Sequence, residues 1–534
     1  MKSTVSTLLF SLVILLGQAQ NFDYKIHLEP ITIDGLDGTH SYAFATHNNE
    51  WLIVGGRKDG LHARQPFNAF PASFNNTSLM VINIDNQAVY SDDLNALSTN
   101  IKEQLQSTNM CFHQVEDTLY IAGGYAFSET AQDHITFPYL TTIIVSQTIN
   151  AIKTGGDVSA YIKQVANVDM AVTGGHLAHL DNKLILVGGH KFDGRYNPMG
   201  MNTYVQTYTD GITSFKVNNS GQTPVISGIN KTTDAAHLHR RDYNLMPQVF
   251  GDGSFGYMIS SGVFQVNADL PFLYPVEIKS SGHTAIPSFN QYLSNYHSAA
   301  VSIYDSSANV THSLFFGGIS QYFYSNGSLQ QDNNVPFVNT ISRVSRDAND
   351  LLTEYKQDEE MPGLMGASAE FIMNEYIASI EDEIVVVGNQ TTDSLNIGHI
   401  YGGIKSTQSN PFTNNNTAVT SASPTIYKVW LIKEEAPAGF ENKIISEHHF
   451  DASLYPNPSK GDVFTKLNTP FAGDATVLIT DINGRLIKNL TINDLKEGAN
   501  DVKIIDKGQL EAGVYHFTFS FEGVYHDTAS VVIP

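Results

Sequence analysis

Short apolar runs closed by a glycine pair, or by a degenerate version of one, recur along this chain. They are Trp51-Leu-Ile-Val-Gly-Gly56, Leu119-Tyr-Ile-Ala-Gly-Gly124, Leu184-Ile-Leu-Val-Gly-Gly189, Tyr257-Met-Ile-Ser-Ser-Gly262, Leu314-Phe-Phe-Gly-Gly318 and Ile384-Val-Val-Val-Gly-Asn389. A strand of small or aromatic residues precedes each run, as in Asn109-Met-Cys-Phe-His-Gln114. A tight polar turn such as Asn48-Asn49, Glu116-Asp117 or Asp181-Asn182 joins the two. After the glycines come a long loop and two more alternating strands, as in Leu79-Met-Val-Ile-Asn-Ile84 and Gln87-Ala-Val-Tyr90. Four antiparallel strands per repeat make a propeller blade. A lone blade cannot bury its faces, so the six units are expected to stack radially. The glycines allow backbones to approach where a side chain would clash.

The sixth copy predicts strands near 367–373, 383–388 and 425–432 and lacks an outer strand. Tyr24-Lys-Ile-His-Leu28 precedes the first blade without a partner there. It is expected to complete blade six and tie the ends of the ring together.

On these six apolar–glycine strands, residues 22–433 resemble the kelch-repeat β-propellers, such as the central domain of galactose oxidase. The departures are Ser261-Gly262, Gly388-Asn389 and intervals longer than the roughly 50 residues of a kelch repeat. Copper radical oxidases on such propellers use a cysteine crosslinked to tyrosine plus two histidines. Cys111 has no matching motif around it and reads as a small buried thiol. No cofactor and no metal site are expected.

Residues 434–451, with Ala436-Pro-Ala-Gly-Phe440, read as a linker. Beyond it, several short alternating strands with regular turns predict a small β-sandwich over 452–534. The stretch Tyr455-Pro456-Asn457-Pro458-Ser-Lys-Gly461, then Asp481-Ile-Asn483-Gly484-Arg-Leu486, then Gly513-Val-Tyr515 follow in order. On these the segment resembles the type A C-terminal sorting domain of the type IX secretion system of Bacteroidetes. The resemblance implies recognition by that machinery, crossing of the outer membrane, removal of the domain, and either release or attachment at the surface.

The other end fits this route. Lys2, the apolar stretch Leu8–Leu16 and the small residues around Ala19 form a signal peptide over 1–19. That stretch is too short for a bilayer span, and no later segment is long and apolar enough for one. The chain has 534 residues, with 53 acids against 30 bases and a net charge of −23. Such acidity argues against nucleic acid. With one cysteine there is no intrachain disulfide. The fold class expected is therefore all-β: a six-bladed kelch-type propeller plus a C-terminal sandwich, in a secreted or surface-attached monomer.

In a propeller the loops after each glycine pair share a face with the segments entering each blade, and long loops carry function more often than tight turns. Each long loop pairs proline with an apolar neighbour: Pro66-Phe67, Phe137-Pro138, Pro198-Met199, Pro271-Phe272, Pro336-Phe337 and Pro411-Phe412. These read as loop anchors, or as aromatic platforms for sugars. Arg57, Arg64, Arg195, Arg240 and Arg241 fall on the same face and suggest a carboxylate, sulfate or phosphate on a ligand, or else local ion pairs. Asn109, Tyr125, His176, His190, Tyr243 and His297 join them as candidate ligand-binding residues. His237-Leu-His239 is the one short histidine spacing, weak as a metal motif.

The leading expectation is a noncatalytic binding protein for a glycan or other anionic ligand. An enzyme acting on acidic sugars, a mutarotase or lyase, is one alternative. An adhesive protein–protein scaffold is another. No catalytic residue is assigned.

Overall fold

The computed structural model describes residues 22–534 except 66, 201–202, 326, 389–391, 434–442, 448–449, 470–471, 483, 497 and 522–524. The expected signal peptide and Asn483 lie outside the described residues. Nearly all regular structure is β-strand, and six sheets are built on a four-strand meander. Blade one is typical: Ala43–His47, Glu50–Val54, Ser78–Asn83 and Ala88–Asp93 pair antiparallel in chain order. Its second strand is buried throughout because neighbouring blades cover both of its faces. The inner hairpins turn on residues held at positive φ, Asn48 and Asn49 (53° and 61°) and Asp181 and Asn182 (53° and 56°). Short polar side chains tolerate that region best, and it matches the strand twist.

Inner strands follow at Cys111–Val115, His176–Leu180, Asn244–Val249, Ala299–Asp305 and Leu364–Met373. The residues entering them form a closed hydrogen-bond relay. Asn109 N donates to Ser41 O (3.0 Å), Gly174 N to Asn109 O (3.2 Å) and Asp242 N to Gly174 O (2.8 Å). His297 N then donates to Asp242 O (2.9 Å), Ser368 N to His297 O (3.0 Å) and Ser41 N to Ser368 O (3.1 Å). The circuit returns to its start, so the sheets stand in cyclic order around one axis.

Tyr24–Ile31 pairs antiparallel with Ile426–Lys433 over eight residues, from Tyr24 opposite Lys433 to Ile31 opposite Ile426. The N-terminal strand thus completes blade six, as its lack of a partner in blade one suggests.

The sixth repeat differs from the sequence reading. The second strand of blade six is Ser394–Ser406, whose glycine pair is Gly402-Gly403. In the first four repeats the second glycine of the pair stitches one blade to the next: Gly56 N donates to Ser107 O, Gly124 N to Val172 O, Gly189 N to Arg240 O and Gly262 N to Asn295 O. Gly403 N donates to Thr39 O in the same way. A Cβ on Gly123 would stand 1.8 Å from Val172 O, and one on Gly402 2.2 Å from Thr39 O. Ile384–Val387, which carries the same apolar pattern, instead runs parallel to the inner strand of blade five, Ser302–Asp305. It belongs to an inserted hairpin, Ser379–Ile380 with Ile384–Val387, between the first two strands of blade six. Periodicity alone could not separate the two strands, because both are apolar and both end near glycine.

Within the expected linker, Lys443–Glu447 pairs with the outer strand of blade five, Leu352–Glu360. The tail has two sheets. One contains Asp451–Tyr455, Val463–Thr469 and Gly498–Ile505; the other contains Gly473–Asp481, Leu486–Leu495, Gly513–Phe521 and Tyr525–Ile533. Val463, Leu467, Val477, Ile479, Phe517, Phe519 and Val531 fill the core between them.

Candidate functional site

The long-loop end of the axis is closed by the protein's own side chains. Arg57 is buried and grips Asp59 through two nitrogens (2.9 and 2.6 Å) and Asn75 through a third (2.9 Å). Arg240 is wholly buried; it donates to the carbonyls of His237, Ser261 and Tyr274 and lies over the rings of Phe272 and Tyr274. Arg241 pairs with Asp242 and donates to Tyr208 Oη, and Arg195 Nε donates to Ala69 O (3.0 Å). Of the five arginines that suggested an anionic ligand or local ion pairs, buried Arg57 and Arg240 meet internal acceptors, because a guanidinium out of water requires them. Arg64 stands apart, lying over Phe412 with its guanidinium in no ion pair among the described residues.

Above the relay, His62 sits against Phe70 (4.5 Å), Tyr196 (4.9 Å) and Phe412 (5.6 Å) between ring centroids. Three loops therefore meet in an aromatic cap. Of the proline-linked residues, Phe137, Phe272 and Phe337 are buried anchors, while Phe67 and Met199 are exposed. Asn109 serves the relay with its backbone, at φ 52°. Tyr125 Oη donates to Gly194 O (2.8 Å), Tyr243 Oη to Val187 O (2.6 Å), and His190 Nδ1 meets Gln206 Nε2 (2.6 Å). His237 and His239 diverge, the first to Tyr274 Oη (3.0 Å) and the second to Asp210 (2.6 Å).

Below the relay the inner strands enclose a channel of about 550 Å³ that reaches the tight-turn face. Among the described residues, none that line it comes from the long loops after the first five glycine pairs. The opening therefore lies opposite the face expected from sequence. The inserted hairpin walls the channel at its turn end, held by the parallel pairing to blade five and by Glu375, which accepts from the backbone of Asn49.

Two polar tiers face this space. In the upper one, His297 Nε2 lies 3.4 Å from Glu370 Oε1, and His176 and His297 meet edge-on with centroids 5.3 Å apart. His176 Nε2 donates to Tyr243 O (2.7 Å), which leaves Nδ1 as the acceptor. Burial and the neighbouring His297 push His176 down to about 3. Burial also acts to lower His297, but the Glu370 carboxylate outweighs it and holds that imidazole above its ordinary value. In the lower tier Tyr257 Oη bonds both His179 O (2.9 Å) and Glu383 Oε1 (2.7 Å), with His113 Nε2 3.7 Å from the same oxygen. Burial, with help from Glu381 and Asp382 against the Tyr257 bond, raises Glu383 to about 8; burial and His179 lower His113 to about 4. Phe44 and Phe112, edge-to-face at 5.3 Å, and Phe371 supply apolar walls.

Of the sequence candidates, only His176 and His297 line this channel. Glu370, His113 and Glu383 were missed. Glu370 had a signal, as the single charge in the inner strand Leu364–Met373. Cys111 is buried, and burial pushes its thiol up to about 12. Among the described residues no three His, Cys, Asp or Glu side chains are grouped to hold a metal ion.

The tail residues singled out in sequence tie the sandwich together. Asn457 Nδ2 donates to Ser530 O (2.9 Å) and its Oδ1 accepts from Val532 N (3.0 Å), so the loop of Pro456, Pro458 and Gly461 is clamped to the last strand. Tyr455 Oη bonds Asp501, Gly484 takes the turn at φ 76°, and Tyr515, after Gly513, donates to Glu511 O (3.1 Å). Among the described residues no helix is long and apolar enough to cross a membrane.

No curated protein matches the chain. Among solved structures, a fungal alcohol oxidase of the AA5 family in complex with copper is similar at TM-score 0.37 and 10% identity, covering 96% of this chain and 100% of that one. YjhT is similar at TM-score 0.40 and 12% identity, covering 78% and 99%. Residues 453–533 match the family model of the secretion system C-terminal sorting domain. The C-terminal segment is thus a sorting domain of that family, and it marks this all-β chain for type IX export to the cell surface or beyond.

Proposed function

We propose that this chain is a noncatalytic binding protein, acting outside the cell, whose ligand is a small glycan held on the propeller axis. The channel carries the reading. Its volume of about 550 Å³ falls in the range of small-molecule sites, and it sets aromatic walls beside imidazoles and carboxylates that fix hydroxyl groups. The anionic ligand suggested by the arginines has less support, since most of them meet internal acceptors.

A glycan array on the purified secreted protein tests this, followed by calorimetry on the hits. Binding should be lost in Phe112→Ala and kept in the Arg64→Glu/Arg195→Glu double variant. The opposite pattern would move the site to the loop face and reject the channel.

One observation favours an enzyme as the second reading. His176 and His297 share a chamber, one biased neutral and the other biased charged, which is how acid–base partners are set apart. An enzyme of the mutarotase or lyase kind would turn over an array hit, and His176→Asn would abolish turnover while retaining binding.

A further inference from the structure

The sign of the channel's charge narrows the ligand. Among the described residues no lysine or arginine lines it, whereas seven aspartates and glutamates do. Three of these carboxylates have work elsewhere. Glu370 faces the His297 imidazole, Asp117 accepts from Ser146 through both oxygens, and Glu375 accepts from Asn49. Glu383 is different. It is 20% exposed, its Oε1 takes the Tyr257 hydroxyl, and its second oxygen has no partner among the described residues. The nearest imidazole nitrogen, on His113, is too distant to bond. The parallel strand that follows Glu383 fixes its backbone, and Tyr257, itself bonded to His179 O, fixes its side chain.

We propose that the channel ligand carries a primary ammonium group, as an amino sugar does, and that Glu383 is the carboxylate that receives it. This rests on the channel being the ligand site. An ammonium supplies the charge-assisted hydrogen bond that the free oxygen lacks, and the aromatic walls favour a cation over an anion. A metal ion fits less well, since no three suitable ligands converge among the described residues. The raised pKa of Glu383 agrees: a buried carboxyl without a cation holds its proton, and an arriving ammonium would displace it. The titratable groups packed around it are His113, Tyr257, Glu381 and Asp382.

The test is calorimetry at pH 7 on the whole secreted protein. The probes are glucosamine, galactosamine and mannosamine, each beside its parent hexose. At least one amine should bind about tenfold or more tightly than its parent, an advantage that disappears in Glu383→Gln, where amine and parent bind alike. Repeating the titration in buffers of different ionisation enthalpy should reveal proton release that is absent in Glu383→Gln. The proposal is overturned if no amine exceeds its parent, or if the advantage survives in Glu383→Gln. Should the hexoses bind and be lost in Phe112→Ala without any amine advantage, the ammonium falls and the channel reading stands. Should no sugar bind at all, both fall.

Discussion

Glu383 keeps its proton to about pH 8 because burial penalises the charged carboxylate and Glu381 and Asp382 add repulsion, against the Tyr257 bond. Its folded value lies above its unfolded one of about 4.5, so folding binds a proton between them. Its contribution to stability is therefore whole below about pH 4.5 and is lost as pH rises toward 8. Replacing it with glutamine removes that loss, so the melting temperature of Glu383→Gln relative to the native protein should climb between pH 5 and 8. A flat difference would reject the assignment. His176 acts in the other direction: its value is lowered to about 3, so its share of stability holds above pH 6.5 and falls as acid forces a charge onto the buried ring. A second residue test concerns Gly402. Alanine there adds a Cβ at 2.2 Å from Thr39 O on backbone at φ 72°, and should cost about 3 kcal/mol or more, seen as a lowered thermal midpoint. Sequence showed which residue types were scarce and clustered, but not which way they point. Arg57 and Arg240 looked like ligand anchors because nothing in the sequence displays Asp59, Asn75 or the carbonyls of Ser261 and Tyr274 converging on them.

At the scale of elements, two strands act far from their neighbours in sequence. The inserted strand Ile384–Val387 covers the inner edge of Ser302–Asp305 through parallel pairing. Replacing residues 376–387 with a short turn should leave the blades folded but expose the amides of 302–305, read as faster hydrogen exchange there than in the native protein. Unchanged protection would mean that the hairpin is not what covers that edge. The other strand, Tyr24–Ile31, was legible because the pattern left one strand over at the start and one missing at the end. The hairpin was not legible for a matching reason. Ile384-Val-Val-Val-Gly388 has the same period and the same terminal glycine as a true second strand, while Gly398-His-Ile-Tyr-Gly-Gly403 carries the stitch to Thr39.

For the molecule as a whole, the body and the tail were both legible, since one is built by repetition and the other carries a motif whose residues clamp its own first and last strands. The channel was not, since its walls come from six inner strands whose convergence only the closed relay reveals. Deleting residues 453–534 should leave the propeller in the periplasm and absent from the surface and medium, measured by fractionation and immunoblot. Surface arrival of the truncated chain would contradict the tail's role. The closing strand has a kinetic side as well. Tyr24–Ile31 must find Ile426–Lys433 across roughly 400 residues of chain, so that pairing closes the longest loop in the propeller and is expected to form late in folding. Until it forms, blade six is an open edge and the circle is a horseshoe. The pairing of the first described strand is what turns that horseshoe into a ring.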